Sequence, residues 1–461
     1  MFWLDATSVE TAEDSFLRIA HECHQEENFE SIKTWLSRKD NWLLIIDNAD
    51  DPELEISRFL PMGNRGTVLI TTRNPDLRHL RTSDCSYHVQ EMSDKDATEL
   101  LLKLAAIGNG HGGDDTAKIS AAKIVKALGY LALAINQAGA VIGQGLCSLD
   151  GFCDVYSKQK KELLESGRSQ PQPGIEYRYS VYTTWEISIG RIEKMTEKHA
   201  ALALELLRLF SFMHFDGISE NIFKRARERH RKGSSSVIIC DRSVLFKLMP
   251  LEWNQVLMGQ ALALLISLSL VSVDHNRQIS MHPLVHEWSR DRIPEKERQE
   301  ACLVATVILG MSGSLDYTLT DQQHRRLLLP HIDACLASGS SKFLSEGPDL
   351  EERLFIALIF STAYDEMLRC EKALDLWLNI LKQLPLNHLY RFPVLSRVGS
   401  TLLSMRRFRE SAEHFRSMLK ESSASDNRQG MFAAMFGIAH AIHELGEHQK
   451  AVDMCKDAIL K

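Results

Sequence analysis

"WLLIIDNADD", residues 42–51, is the stretch on which the fold turns. Four aliphatic residues, Leu43 to Ile46, run directly into Asp47, and a small polar patch and Pro52 follow. A continuous apolar run closed by an acid is how a buried parallel strand ends with a carboxylate at its tip. In phosphate-handling folds such a carboxylate holds magnesium, often through water, beside the phosphates of a nucleotide.

The residues around it fit the same sheet. "MFWLDA" (1–6) and "GTVLITT" (66–72) read as further strands, the second rich in β-branched residues. Between them "TAEDSFLRIAHEC" (11–23) places Phe16, Ile19, Ala20 and Cys23 at helical spacing. Ser93 and Asp96 make a capping-box signal before a helix. Strands alternating with helices predict a parallel, doubly wound sheet, whose ligands sit at the carboxyl ends of strands. Asp47 lies at one such end and Thr71, Thr72 and Arg73 at another. Arg73 reads either as a surface charge or as a guanidinium that holds phosphate beside a metal-binding Asp47.

The whole chain sets outer bounds. Its 461 residues suggest three domains at about 150 residues each. With 44% hydrophobic and 25% charged residues it has material for real cores. A net charge of -7 leaves no bulk basic field for nucleic acid or an anionic membrane. Nine scattered cysteines without a C-x-x-C pair fit free thiols in a reducing compartment. The N-terminus carries no signal-peptide pattern, and "ALALLISLSLVSV" (261–273) is too short to span a bilayer, so a cytoplasmic protein is expected.

Five stretches together resemble the NB-ARC module of STAND-class signalling NTPases, of the fungal type. "WLLIIDNADD" is similar to its Walker B strand and "VLITTRN" (68–74) to its sensor strand. "LGYLALAINQAGAVI" (128–142) is similar to its G-x-L-P-L-A helix start, "YSVYTTWEISI" (179–189) to the beginning of its winged-helix domain, and "ISMHPLVHEWSRDR" (279–292) to its Met-His-Asp segment. They stand in the family's order. The resemblance implies an incomplete P-loop NTPase-like α/β core over 1–90, a helical domain over 91–165 and a winged-helix domain over 177–295. The stretch 165–177, rich in Ser, Gln, Pro and Gly, reads as a boundary. It also implies ADP or ATP with Mg²⁺ as cofactors. The nucleotide-binding positions carried over are Asp47 (for Mg²⁺), Asn48, Thr72, Arg73, Leu131, Ala132 and His282.

The departures matter as much. The family's phosphate loop is G-x-x-x-x-G-K-[ST], and no glycine here is followed by lysine. The chain reads as starting downstream of that loop, through truncation or natural loss, so nucleotide binding is expected to be weak or lost. Each missing charge-assisted hydrogen bond is worth about 1.5–3 kcal/mol. Asn48 follows Asp47 where many active ATPases place a second acid, and an amide cannot take a proton, so at most slow turnover is expected. Ala132 replaces a base-contacting proline, and Pro283 stands where plant members have aspartate. His282 is carried over as a contact to the ADP β-phosphate. Alternatively, His282 and His286 are satisfied histidines at the end of a winged helix, or a metal pair lacking a third ligand. Asp50 and Asp51 are expected to cap a helix near Pro52.

"HAALALELLRLFSFMHFDGISENIFKRA" (199–226) reads as helix, turn at Asp216-Gly217, helix. The basic "KRARERHRKGSSS" (224–236) reads as a solvated loop rather than a DNA contact. Residues 296–350 read as a helical connector interrupted at 337–349. From 351 to 461 a repeat of about 40 residues emerges, similar to tetratricopeptide repeats, an α-α superhelix. Small Ala373, Ser411 and Ala451 align, bulky Trp377, Phe415 and Cys455 follow four later, and Gly399 aligns with Ala439. Such an array either packs only on itself or offers a concave face to a protein or peptide. The expected function is therefore a nucleotide-dependent signalling switch with repeat-based protein sensing, able to self-assemble. The alternative is a nucleotide-independent repeat scaffold.

Overall fold

The computed structural model describes residues 1–460 apart from 27, 52, 64, 73, 81–85, 88, 90, 108–114, 166–174, 233–254, 317, 342–343 and 345–349. The chain divides into two compact units, Met1–Gln90 and Glu91–Lys461.

The first unit holds a three-stranded parallel sheet in the order β1 (Phe2–Asp5), β2 (Leu43–Asp47), β3 (Thr67–Ile70). Its crossover carries α1 (Val9–Glu22) and α2 (Phe29–Arg38). Helix α1 starts where Ser8 and Thr11 satisfy each other's backbone N–H groups. Alternation along the strands sends Leu4, Leu44 and Ile46 into a core with Phe16, Ile19, Ile32 and Leu36. Phe16, Phe29 and Phe59 close that core with ring centroids 5.5–5.7 Å apart. The opposite face carries the cross-strand row Trp3, Ile45, Leu69, of which Trp3 and Leu69 are each 51% exposed.

The Asp50/Asp51 expectation fails here. Among the described residues no α-helix lies between β2 and β3; a 3₁₀ turn spans Ile56–Phe59, preceded by Glu55 with no side-chain cap. Asp51 instead accepts the Glu53 N–H at 2.9 Å, so the carboxylate closes a local turn.

The second unit is helical, with one small sheet. Helices α3 (Asp94–Leu104), α4 (Asp115–Ala127), α5 (Ala132–Gly143), α6 (Phe152–Glu165) and α7 (Ile175–Ile192) come first. Ser93 caps α3 through the Asp96 N–H at 3.1 Å. Then come α8 (Lys198–Phe210), β4 (Ile218–Ser219), α9 (Glu220–Lys232), α10 (Gln255–Ser267), β5 (Ser272–Val273), β6 (Gln278–Ser280) and α11 (Pro283–Asp291). The short strands pair antiparallel in the order β4-β6-β5. The basic stretch read as a loop is helical to Lys232 within α9, where Arg225 and Arg229 find partners inside the fold. Residues 233–236 lie outside the described residues, as does most of the 165–177 boundary.

Helices α12 (Glu295–Ser312) and α13 (Leu319–Cys335) lead to a π-turn, Leu336–Ser340, with Gly339 at φ 111°. Part of the interruption read at 337–349 falls there; 342–343 and 345–349 are not described. Three helical hairpins follow: α14 (Leu350–Glu366) with α15 (Cys370–Gln383), α16 (Arg391–Ser404) with α17 (Phe408–Ala424), and α18 (Arg428–Glu444) with α19 (His448–Leu460). Each helix packs on the next. Among the described residues no helix is long and apolar enough to cross a membrane. The chain thus combines a small parallel α/β sheet with helical bodies and an α-α repeat array.

Candidate functional site

The parallel register brings Asp5 and Asp47 side by side at the carboxyl end of the sheet, one residue beyond the Leu4–Ile46–Ile70 row. Beyond Asp47 the chain turns through Asn48, which takes a left-handed conformation at φ 59°. Asparagine tolerates that region better than most residues. The turn after β3 interlocks with it. Thr71 donates its hydroxyl to the Asp47 carboxylate and accepts the Asn48 N–H at 3.0 Å. The Ala49 N–H donates to the Thr71 carbonyl at 2.9 Å. Thr72 donates its hydroxyl to the Ala49 carbonyl at 2.5 Å and accepts the Asn74 N–H at 2.9 Å. Asp5 is drawn into its own turn by the Thr7 N–H at 3.0 Å and the Thr7 hydroxyl.

Asp47, Asn48 and Thr72 are therefore gathered in one lattice of two turns, and Arg73 lies outside the described residues. Thr71 was missing from the carried-over positions although it joins the two strand ends. Its signal was the doubled threonine directly after a β-branched strand. Carboxylates and hydroxyls are all oxygen donors, the chemistry that suits a hard divalent cation held directly or through water.

The remaining positions belong to the second unit. Leu131 is the residue before α5, with no side-chain cap, and Ala132 is its exposed first residue. His282 caps α11: its Nδ1 accepts the Leu284 N–H at 3.1 Å, and Pro283 occupies the first helical position, where its fixed φ suits the helix. The departure to Met-His-Pro thus makes a helix start. His286, one turn on, is buried. Its Nε2–H donates to the Met213 carbonyl at 2.8 Å, and its Nδ1 accepts from Arg290 at 3.0 Å. Burial, and then the Arg290 charge, pull its pKa down to about 4, so the ring is neutral. Among the described residues no group of three or more His, Cys, Asp or Glu side chains is placed to hold a metal ion.

Two stretches read separately in the sequence form one joint. Trp185 of α7 packs on Trp288 of α11 at 5.2 Å between ring centroids. Glu186 accepts from the Trp288 indole N–H at 3.1 Å and from Arg292 Nε at 3.3 Å, while Arg292 also reaches Glu193 at 2.7 Å. On the other side of α11, Ser289 donates to the Leu207 carbonyl at 3.2 Å and Arg290 to the Ser211 carbonyl at 3.0 Å. Helix α11 is thereby held between α7 and α8. The sequence signal was the Trp-Glu pair at 185–186 facing the aromatic and basic residues of "HEWSRDR", about 100 residues later.

Residues 194–298, from just before α8 to the first turn of α12, match a domain of unknown function, DUF7779. A nucleotide-binding leucine-rich repeat (NLR)-like protein of Hyaloscypha variabilis is 28% identical over 225 residues, covering 42% of this chain. The chain spans 22% of that relative's length. A crystal structure of a STAND (Signal Transduction ATPase with Numerous Domains) protein with a tetratricopeptide repeat sensor, from Pyrococcus horikoshii, is similar at a TM-score of 0.49 and 14% identity. That overlay covers all of this chain and 65% of the other. Over part of its length, then, the chain is similar to a fungal NLR-like protein.

Proposed function

We propose that the chain is a nucleotide-responsive signalling switch in which ADP or ATP with Mg²⁺ binds at the strand ends and the helical repeats sense a protein or peptide. The observation that carries this reading is the lattice around Asp47. A strand-end carboxylate is held by the Thr71 hydroxyl, beside the Asn48 turn. Asp47 would hold Mg²⁺, directly or through water, and the cation would supply charge neutralisation for phosphates. In the same reading the β4-β6-β5 sheet with α8–α11 is the winged-helix clamp, His282 at the start of α11 contacts a nucleotide phosphate, and Leu131 and Ala132 line the base. The switch works by which state is occupied rather than by turnover, since Asn48 offers no proton acceptor. Opening would free the chain for self-assembly.

A second reading, a nucleotide-independent repeat scaffold, is favoured by one observation: no glycine of the sequence precedes a lysine, so no phosphate-loop signature is present. Titrating the purified chain with fluorescent ADP and Mg²⁺, alongside Asp47→Ala and His282→Ala, separates the two. The switch reading expects micromolar binding that both substitutions abolish. An absence of binding up to millimolar nucleotide would leave the scaffold.

A further inference from the structure

The turn between α12 and α13 is held by arginines from both sides. From α9, Arg225 donates Nε–H to the Ser312 carbonyl at 3.0 Å and pairs through Nη2 with Asp321 of α13. From α13, the fully buried Arg325 donates Nη1–H to the Ser314 carbonyl and, at 3.0 Å, to the Asp316 carbonyl. The rest of the Arg325 fork meets both oxygens of Glu366, at 2.8 and 2.5 Å. Glu366 is the last residue of α14, the first helix of the repeats. Arg229 of α9 adds a direct contact, its guanidinium 4.9 Å from the centre of the Phe355 ring of α14.

Three elements far apart in sequence thus meet on one turn, and each arginine serves two of them. A buried guanidinium is tolerated only when its fork is filled by carboxylate and carbonyl oxygens. Separating the repeats from α13 would strand the Arg325 charge, and separating α9 from the turn would undo the Arg225 bonds. Partial opening here is therefore costly, and the joint is either whole or broken.

We propose that this arginine-held turn is a rigid coupling between α9 and the repeat array, so that the two open together and a load on the repeats reaches α9 without slack. The coupling itself does not depend on nucleotide binding, so its test stands apart from the titration above.

Hydrogen exchange of the full-length chain across a urea series reads it directly, following peptides of α9 and of α16–α17. In the unsubstituted protein both sets should lose protection at one urea concentration. In Arg325→Met, and to a smaller extent in Arg225→Met, the two midpoints should separate, by about 1 M for the buried arginine. Arg407→Ala, which removes an exposed pair with Glu410 at the start of α17, should leave them coincident. Should Arg325→Met not fold, Arg225→Met, whose side chain is 22% exposed, decides alone. Midpoints that already differ in the unsubstituted protein, or that stay together in the arginine variants, would overturn the coupling.

Discussion

Phe415 fills the space that Gly399 leaves empty. A Cβ at residue 399 would lie 2.3 Å from the ring Cζ of Phe415, and Gly437 of the next hairpin lies against the same ring, where a Cβ would come within 2.5 Å. Ser411 seals the contact by donating its hydroxyl to the Gly399 carbonyl at 2.8 Å. One aromatic ring is thus gripped by two glycines from successive hairpins. Gly399→Ala should lower stability by about 1–3 kcal/mol, because neither backbone nor ring can give way cheaply. Chemical denaturation followed at Trp377 measures it, and an unchanged midpoint would show that the hairpins can slide apart.

The Glu186 carboxylate serves both Trp288 and Arg292. Glu186→Ala should cost about 1–3 kcal/mol, since the indole N–H loses its acceptor in a largely buried site. The emission of Trp288 should shift as its surroundings loosen. Glu186→Gln, which keeps an acceptor for the indole but not the charge facing Arg292, should recover part of the loss.

Acid should weaken the second unit through its buried histidines. His286 is pulled down to about 4 by burial and by Arg290, against an ordinary value of 6.5. Between about pH 6.5 and 4 the unfolded chain therefore binds more protons than the folded one. The stability held by the neutral ring is complete above that window and is lost as pH falls through it. For His286 the loss amounts to about 3 kcal/mol by pH 4. Burial moves His324 to about 4 and His331 to about 3, in the same sense. Urea midpoints from pH 7 to pH 4.5 should fall less steeply in His286→Gln than in the unsubstituted protein. Parallel profiles would mean that His286 binds its proton equally well in the folded and the unfolded chain.

At the strand ends, Thr71→Val removes the hydroxyl that joins Asp47 to the Asn48 N–H. A loss of about 1 kcal/mol is expected, with faster exchange of the Asn48 amide while the β-strand amides stay protected. If the Asn48 amide exchanges at its original rate, some other group holds that turn.

Much of the fold is written in local sequence. The strand Leu43–Asp47 could be read because a parallel strand, buried among neighbours, needs an uninterrupted aliphatic run. The start of α3 was legible from Ser93 and Asp96, since a cap is a three-residue event. The repeats showed themselves because close helix packing demands a small residue opposite a large one at a fixed interval. At the candidate site the sequence named Asp47, Thr71 and Thr72 as strand-end residues, and the expected helix cap at Asp50 and Asp51 failed because an aspartate bonds a local turn as readily as a helix.

What local pattern could not decide is which polar groups leave water. His282 and His286 stand four residues apart with the same side chain. One caps a helix at the surface, and the other is enclosed by Met213 and Arg290. Arg225 and Arg229 sit in a basic run that reads as solvated, yet α13 and α14 supply their partners from about 100 residues away. Periodicity and capping act within a few residues, so the sequence by itself determined the strands, the caps and the repeat. Desolvation and ion pairing are settled by whatever the rest of the chain brings alongside, so only the tertiary structure decided the neutral His286, the Trp185–Trp288 joint and the arginine-held turn.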